Sequence, residues 1–304
     1  MPMESGLIFD IKRYSINDGP GIRVTVFFKG CNLNCAWCHN PESISHRVQK
    51  LYSENRCIGC STCVEYCPEN ACYLTPNGIV TDPDKCTVCG KCAEVCPTTA
   101  SEISGRIETT ENILKIIQKE TVFMDSSEGG VTFSGGEPLL QPKFLFELLD
   151  ECGRKGIHRA VDTAGLVKTE LIMEAAEKTD LFLYDLKMMD SGLHKKWTGV
   201  DNEIILKNLK LLSEKGSEIN IRIPLIAGVN DDGKNIEETA SFVKSLAGRP
   251  KKINILPYHN IAQQKYKKLG KEFNSQNLEE PNKENIRNIV SFFNSCGIEA
   301  LIGG

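Results

Sequence analysis

Cys31, Cys35 and Cys38 fall within GCNLNCAWCHNPES (30–43) at C-x3-C-x2-C spacing. Thiolates are soft ligands suited to iron–sulfur clusters. A cubane of four irons held by three cysteines keeps one iron without a protein ligand. An open coordination position is where a substrate or cosubstrate binds, by the logic that separates catalytic from structural zinc sites. The triad therefore reads as a catalytic metal centre.

A second set of cysteines is doubled. CIGCSTCVEYCP (57–68) and CTVCGKCAEVCP (86–97) repeat C-x2-C-x2-C-x3-C-P at an offset of 29 residues. This is the bacterial ferredoxin run, in which the fourth cysteine ligates the other cluster. The spacing assigns Cys57, Cys60, Cys63 and Cys96 to one 4Fe–4S cluster, and Cys86, Cys89, Cys92 and Cys67 to another. The doubled pattern weighs against a zinc module or a disulfide knot. Pro68 and Pro97 can turn the chain away after each fourth cysteine. Cys72, Cys152 and Cys296 fall outside the patterns and read as small buried residues.

Other residues sit where parallel strands should end. Gly135-Gly136-Glu137 follows an apolar run, and two glycines let a backbone approach a ligand closely; a capped tight turn is the plainer reading. Asp162 and Thr163 end RAVDT, and Asp185 and Lys187 end LFLYDLK on alternate positions of one face. Arg222 lies inside INIRIPLI, where a charge must be paired or liganded. His259 follows KINILP. The chain shows no convincing nucleophile–base pair.

The triad resembles that of the radical S-adenosylmethionine (SAM) superfamily. DGPGIR (18–23), the F-x-GC approach, the W-C-H-N-P-E tail, FSGGEPLLQP (133–142), DTAG (162–165), YDLK (184–187), HKKWTGV-N-ILKNL (194–209), IRIPLI-G-N (221–230) and LPYHN (256–260) are similar, in order, to the glycyl-radical-enzyme activating enzymes, such as pyruvate formate-lyase activase. The resemblance runs through nearly the whole chain. It implies an oxidoreductase that cleaves SAM to a 5′-deoxyadenosyl radical, which takes a hydrogen atom from a glycine of a partner glycyl radical enzyme. It implies that Gly135, Gly136 and Glu137 meet the SAM amino group. Lys187 would meet its carboxylate, Arg222 its carboxylate or ribose and His259 its adenosine, and the backbone of Trp37 and His39 would line the adenine site. Asp162, Thr163 and Asp185 would hold a monovalent cation beside the carboxylate, unless they form structural ion pairs. Asp18 and Arg23 would face the protein substrate. The electron would come from flavodoxin or ferredoxin. The cofactors implied are three 4Fe–4S clusters, SAM and the cation. Activases with such an insert serve dehydratases, decarboxylases and lyases, and the lean is toward a dehydratase or decarboxylase partner.

The elements that must position these residues follow from periodicity. Strands are predicted at 22–28, 131–134, 159–163, 181–187, 219–226, 252–257 and 298–302. Helical periods lie between them at 111–120, 143–155 and 202–216. Such alternation predicts a parallel sheet with helices outside. Six or seven βα units suit an α/β open or incomplete barrel. With the resemblance, the expected architecture is a partial (βα)6-type radical SAM barrel over residues 1–48 and 104–304. A bacterial-ferredoxin-like domain is inserted at 49–103.

Composition sets the remaining bounds. The chain has 304 residues, 40% hydrophobic and 25% charged, with a net charge of −4. That balance gives no reason to expect nucleic acid or an anionic membrane as partner. No apolar run is long enough to span a membrane. All of its 14 cysteines except Cys152 and Cys296 lie between residues 31 and 96. With no export signal read at the N-terminus, a reducing, cytoplasmic setting is expected, where clustered cysteines bind metals. Two rival functions share these features: a radical SAM enzyme acting on a small molecule or peptide, and an iron–sulfur electron-transfer protein. The open triad argues against the second.

Overall fold

In the computed structural model, residues 3–249, 251–273 and 278–303 are described. Strand β1 (Ser5–Ser15) is followed by β2 (Arg23–Phe28). Next come β3 (Gln49–Tyr52), β4 (Cys72–Thr75), β5 (Gly78–Thr81) and β6 (Ser101–Ser104). They form two short antiparallel ribbons, β3 with β6 and β4 with β5. The chain then returns through β7 (Arg106–Thr109) to β8 (Gly130–Gly135), β9 (Arg159–Thr163), β10 (Leu181–Asp185), β11 (Ile219–Leu225), β12 (Lys252–Pro257) and β13 (Glu299–Ile302). These strands and β1 and β2 form one sheet in the order β13-β12-β11-β10-β9-β8-β2-β1-β7.

Seven of those strands, β2 and β8 to β13, are parallel. The count agrees with the units read from the sequence. The sheet stays open, with β13 at one edge and β7 at the other. At the β7 side the chain departs from the expected alternation. There β1 pairs antiparallel with both β2 and β7, a feature the sequence reading did not contain.

The central strands are apolar because both of their faces are covered. Val131, Phe133, Phe182 and Tyr184 have no solvent exposure. The helix Pro142–Arg154 buries Phe144, Leu145, Leu148, Leu149 and Cys152, an apolar stripe of helical period. Lys283–Ser295 buries Ile286, Ile289 and Phe293, and Asn282 caps it by accepting from Asn285 N. Cys152 is fully buried and Cys72 nearly so, as expected, whereas Cys296 is only partly buried. Among the described residues, no helix is long and apolar enough to cross a membrane.

Between β2 and β7 the cysteine repeat folds as a repeat. Its short helices, Thr62–Glu65 and Lys91–Glu94, begin from Ser61 and Gly90, both left-handed. Gly59 and Val88, and Asn70 and Thr99, are also left-handed pairs at the same 29-residue offset. A β-branched residue is strained in that region, so Val88 and Thr99 are held there by the loop. The β3–β6 ladder closes the segment, pairing Gln49 with Ser104 and Tyr52 with Ser101. The segment has its own apolar cluster around Cys63, Cys72, Ile79 and Cys92.

Candidate active site at the C-terminal edge of the sheet

The three-cysteine loop begins where β2 ends, and the chain's own backbone anchors it. Gly30 N donates to Ser43 O and Cys31 N to Ile44 O. Asn34 N and Ala36 N donate to the Thr198 and Trp197 carbonyls, at 2.8 and 2.9 Å. Those carbonyls end the helix Ser191–Thr198, so the HKKWTGV segment serves as the seat of the cysteine loop. Gly135 and Gly136 hold the other side. A Cβ at Gly136 would meet Gly30 O at 2.1 Å, and one at Gly135 would meet Phe28 O at 2.3 Å. The close approach that requires these glycines is therefore to the end of β2 for Gly135 and to the cysteine loop itself for Gly136.

A cavity of about 270 Å³ opens at the C-terminal ends of the parallel strands, the face where such sheets build sites. Cys31, Cys35 and Cys38 line it, with Trp37, His39, Gly135 and Gly136. Asp162, Thr163, Asp185, Lys187 and Arg222 line it from neighbouring strands. Asp185 stands opposite Arg222 in the β10–β11 register. Burial pushes the Cys31 and Cys38 thiols up to about 12. Three buried thiols with no competing partner among them fit a metal centre that displaces their protons.

The charged groups in the cavity pair with one another. Lys187 Nζ donates to Asp185 Oδ2 at 2.7 Å. Burial opposes the Lys187 charge, but Asp185 and the Cys35 and Cys31 thiols together outweigh it and raise the group above the ordinary lysine value. Asp162 is raised, first by burial and then by Asp185, against the pull of Arg222. Its Oδ2 accepts from Ser134 Oγ at 2.6 Å. Arg222 Nη1 is 3.2 Å from the same oxygen, but without hydrogen-bond alignment, so Arg222 Nε and Nη1 are buried donors lacking an acceptor. The buried Tyr258 hydroxyl is likewise without a partner. Buried polar groups are rarely left unsatisfied. These orphans face a cavity already holding three thiols, which fits a polar, carboxylate-bearing ligand.

Several expected contacts fall elsewhere. Glu137 is turned out of the cavity and is only 1% exposed. Its carboxylate accepts from Thr163 Oγ1 at 2.8 and 2.9 Å, from Ala164 N at 3.1 Å and from Leu139 N at 3.2 Å. It pins the loop after β9 and offers nothing to an amino group; burial raises it to about 7. Thr163 is thereby committed to Glu137. Asp162 and Asp185 form ion pairs with Arg222 and Lys187, the alternative that the sequence left open. His259 is exposed beside Glu280, 3.7 Å away. Tyr258, its neighbour in LPYHN, lines the cavity instead, with its ring 5.9 Å from that of His39. Arg23 is fully buried and cannot face a partner protein. It donates to Thr132 Oγ1, Val131 O and Pro20 O. Asp18 lines the cavity and accepts from Thr25 Oγ1 at 2.7 Å. Ser134 and Tyr258 were missed, though both sit inside quoted motifs.

In the insert, two small cavities divide the eight cysteines. Cys57, Cys60, Cys63 and Cys96 line one, and Cys67, Cys86, Cys89 and Cys92 line the other. Ala71 N donates to Cys67 Sγ and Ala100 N to Cys96 Sγ, both at 3.2 Å. Although burial opposes it, such donors hold both thiols below the usual value.

The radical SAM superfamily matches residues 25–243. The chain belongs to that superfamily. It is 46% identical to the trans-4-hydroxy-L-proline dehydratase activating enzyme of Clostridioides difficile, over 98% of this chain and 99% of that one. It is 42% identical to the choline trimethylamine-lyase activating enzyme of Oleidesulfovibrio alaskensis, over 88% of each. A solved domain of a pyruvate-formate lyase-activating enzyme from Bacteroides vulgatus is 43% identical with a TM-score of 0.51. It covers 58% of this chain and 99% of that domain. SuiB of Streptococcus suis, 13% identical with a TM-score of 0.56, shares the fold, over 90% of this chain and 46% of that one. Within the superfamily the chain is an activating enzyme of glycyl radical enzymes. It uses SAM, cleaved reductively, as the source of the radical.

Proposed function

We propose that this chain activates a dehydratase-type glycyl radical enzyme, using one SAM-cleaving cluster and two clusters in the insert. The observation that carries the reading is the cavity in which Cys31, Cys35 and Cys38 face the orphaned donors of Arg222. When bound there, a four-iron cluster supplies the electron that cleaves SAM to methionine and a 5′-deoxyadenosyl radical. Arg222, turned from Asp162, takes the SAM carboxylate, and Lys187 supports it. With both Arg222 and Lys187 drawn to the carboxylate, Asp162 and Asp185 become available to a monovalent cation. Tyr258 and His39 bound the adenosine side. Hydrogen-atom abstraction needs no general base, which agrees with the lack of a nucleophile–base pair.

The matched cavities and the paired N–H···S bonds support two 4Fe–4S clusters in the insert, between residues 49 and 103. A flavodoxin or ferredoxin would supply the electron. The near-full-length similarity to a hydroxyproline dehydratase activating enzyme supports the partner class.

The test is anaerobic. The reconstituted, reduced chain is given SAM and short peptides carrying the glycine loops of a dehydratase, a lyase and a decarboxylase. Released 5′-deoxyadenosine is quantified, and a glycine-centred radical is sought by electron paramagnetic resonance. The proposal expects the dehydratase loop to stimulate turnover most and to carry the radical. Turnover indifferent to every loop would defeat it.

A further inference from the structure

Strand β3 lies 29 residues before β5, the offset of the cysteine repeat, so Lys50 corresponds to Ile79 and Tyr52 to Thr81. Lys50 and Tyr52 are two apart and share a face. Lys50 lines the cavity of Cys67, Cys86, Cys89 and Cys92. Tyr52 lines that of Cys57, Cys60, Cys63 and Cys96. The cysteine loops are near copies, down to their left-handed positions and N–H···S bonds. Equivalent positions of the repeat thus place an ammonium, Lys50, at one quartet and an apolar side chain, Ile79, at the other, which the neutral phenol of Tyr52 also lines.

The ammonium is held in place. Lys50 Nζ donates to Thr81 Oγ1 at 2.7 Å and to Cys72 Sγ at 3.4 Å. Neither partner is a carboxylate. Burial opposes its charge, and the thiols of Cys92 and Cys72 at its own quartet, ahead of Cys63 of the other, favour it. Tyr52 Oη instead accepts from Ile79 N at 2.7 Å. One-electron reduction of a four-thiolate cubane adds one negative charge. A fixed positive charge beside it favours the reduced form, the more so where water is partly excluded.

We propose that Lys50 separates the two insert clusters in reduction potential, making the one held by Cys67, Cys86, Cys89 and Cys92 the higher of the pair. The proposal rests on the two-cluster reading of the insert. It gives two sites of nearly equal local structure a fixed order. An electron from a low-potential one-electron donor populates the cluster beside Lys50 first.

The experiment uses the full chain with Cys31, Cys35 and Cys38 changed to serine, so that only the insert titrates. Iron and sulfide are counted first, and a potentiometric titration is then followed by electron paramagnetic resonance. Two one-electron midpoints are expected. Lys50→Met lowers the higher one by on the order of tenfold in the reduction equilibrium, about 59 mV for one electron. Lys50→Arg restores it, and Tyr52→Phe leaves it in place. Thr81→Val loosens the ammonium without removing it and gives a smaller shift in the same direction; it serves should Lys50→Met fail to assemble. A merely structural lysine would alter iron content and leave the midpoints alone. Unchanged midpoints in Lys50→Met, or in Thr81→Val where that variant stands in, overturn the proposal. A parent without insert-bound iron overturns the two-cluster reading as well, and the iron count reveals that before any potential is measured.

Discussion

Arg222 and Glu137 show how differently two buried charges can serve one site. Arg222 Nε and Nη1 have no acceptor, and a guanidinium offers a planar fork that a lysine does not. Losing hydrogen bonds to a charged group costs about 1.5–3 kcal/mol. Arg222→Lys should therefore weaken SAM binding by on the order of tenfold, and Arg222→Leu by more, with iron content preserved. Equilibrium binding to the anaerobic, unreduced protein measures this, and equal affinity in both variants would remove Arg222 from the site. Glu137 acts through the loop it pins. Burial raises it from 4.5 to about 7, so between those values the native state holds a proton that the unfolded chain has lost. Its contribution to stability is then largest below about pH 4.5, falls as pH rises, and is flat above about 7. A shift of this size corresponds to on the order of 3 kcal/mol. Glu137→Gln should make the decline shallower, not abolish it, since burial raises Asp162 too. Urea midpoints from pH 5.5 to 8 read the slope, and an unaltered slope in Glu137→Gln would assign it to other groups.

At the scale of elements, the site depends on how closely the cysteine loop lies against the turn after β8. Gly136→Ala would drive a Cβ into the Gly30 carbonyl, which rigid backbone cannot yield without moving Cys31. The expected result is loss of the iron bound at the triad, about four per chain, with the insert's iron retained. Gly233→Ala, which meets nothing within 4 Å, should leave all the iron in place. Iron analysis separates the two outcomes, and full iron in Gly136→Ala would show that the loop can shift. The parallel strands were legible because burial on both faces writes continuous apolar runs; 159–163 and 252–257 coincide with their predicted limits. β1 was not legible because only one side of an edge region is covered. SGLIFDIKRYS interleaves charges with its apolar residues, and its buried positions fade after Ile8. The cysteines were legible from spacing alone. The aim of the side chains just past a strand was not, because adjacent residues there face opposite ways. That is why Tyr258 enters the cavity where His259 was expected, and why Glu137 turns away while Gly135 and Gly136 stay.

Over the whole molecule, the two cysteine-bearing regions are built on separate apolar cores. The main sheet and its helices pack around Phe28, Phe133, Phe144, Tyr184 and their neighbours. The insert closes around Cys63, Cys72, Ile79 and Cys92. What joins them is mainly polar. Lys29 Nζ donates to Gln49 Oε1 at 3.0 Å. Lys268 pairs with Glu102 at 2.6 Å. Such links set orientation more than stability, since partly exposed ion pairs contribute about 0–1 kcal/mol each. Cores that share little packing should respond independently to substitution. Changing Cys31, Cys35 and Cys38 together to serine should therefore remove about four irons and every SAM-dependent spectral change. The insert's own spectrum and reduction midpoints should stay as they were. Substituting Cys60 and Cys89, the exposed member of each quartet, should do the reverse, disturbing the insert while SAM still alters the remaining cluster. Iron content and SAM difference spectra on both variants test the pair together. A collapse of all iron in either variant would mean that the clusters, not the apolar cores, hold the molecule in its fold.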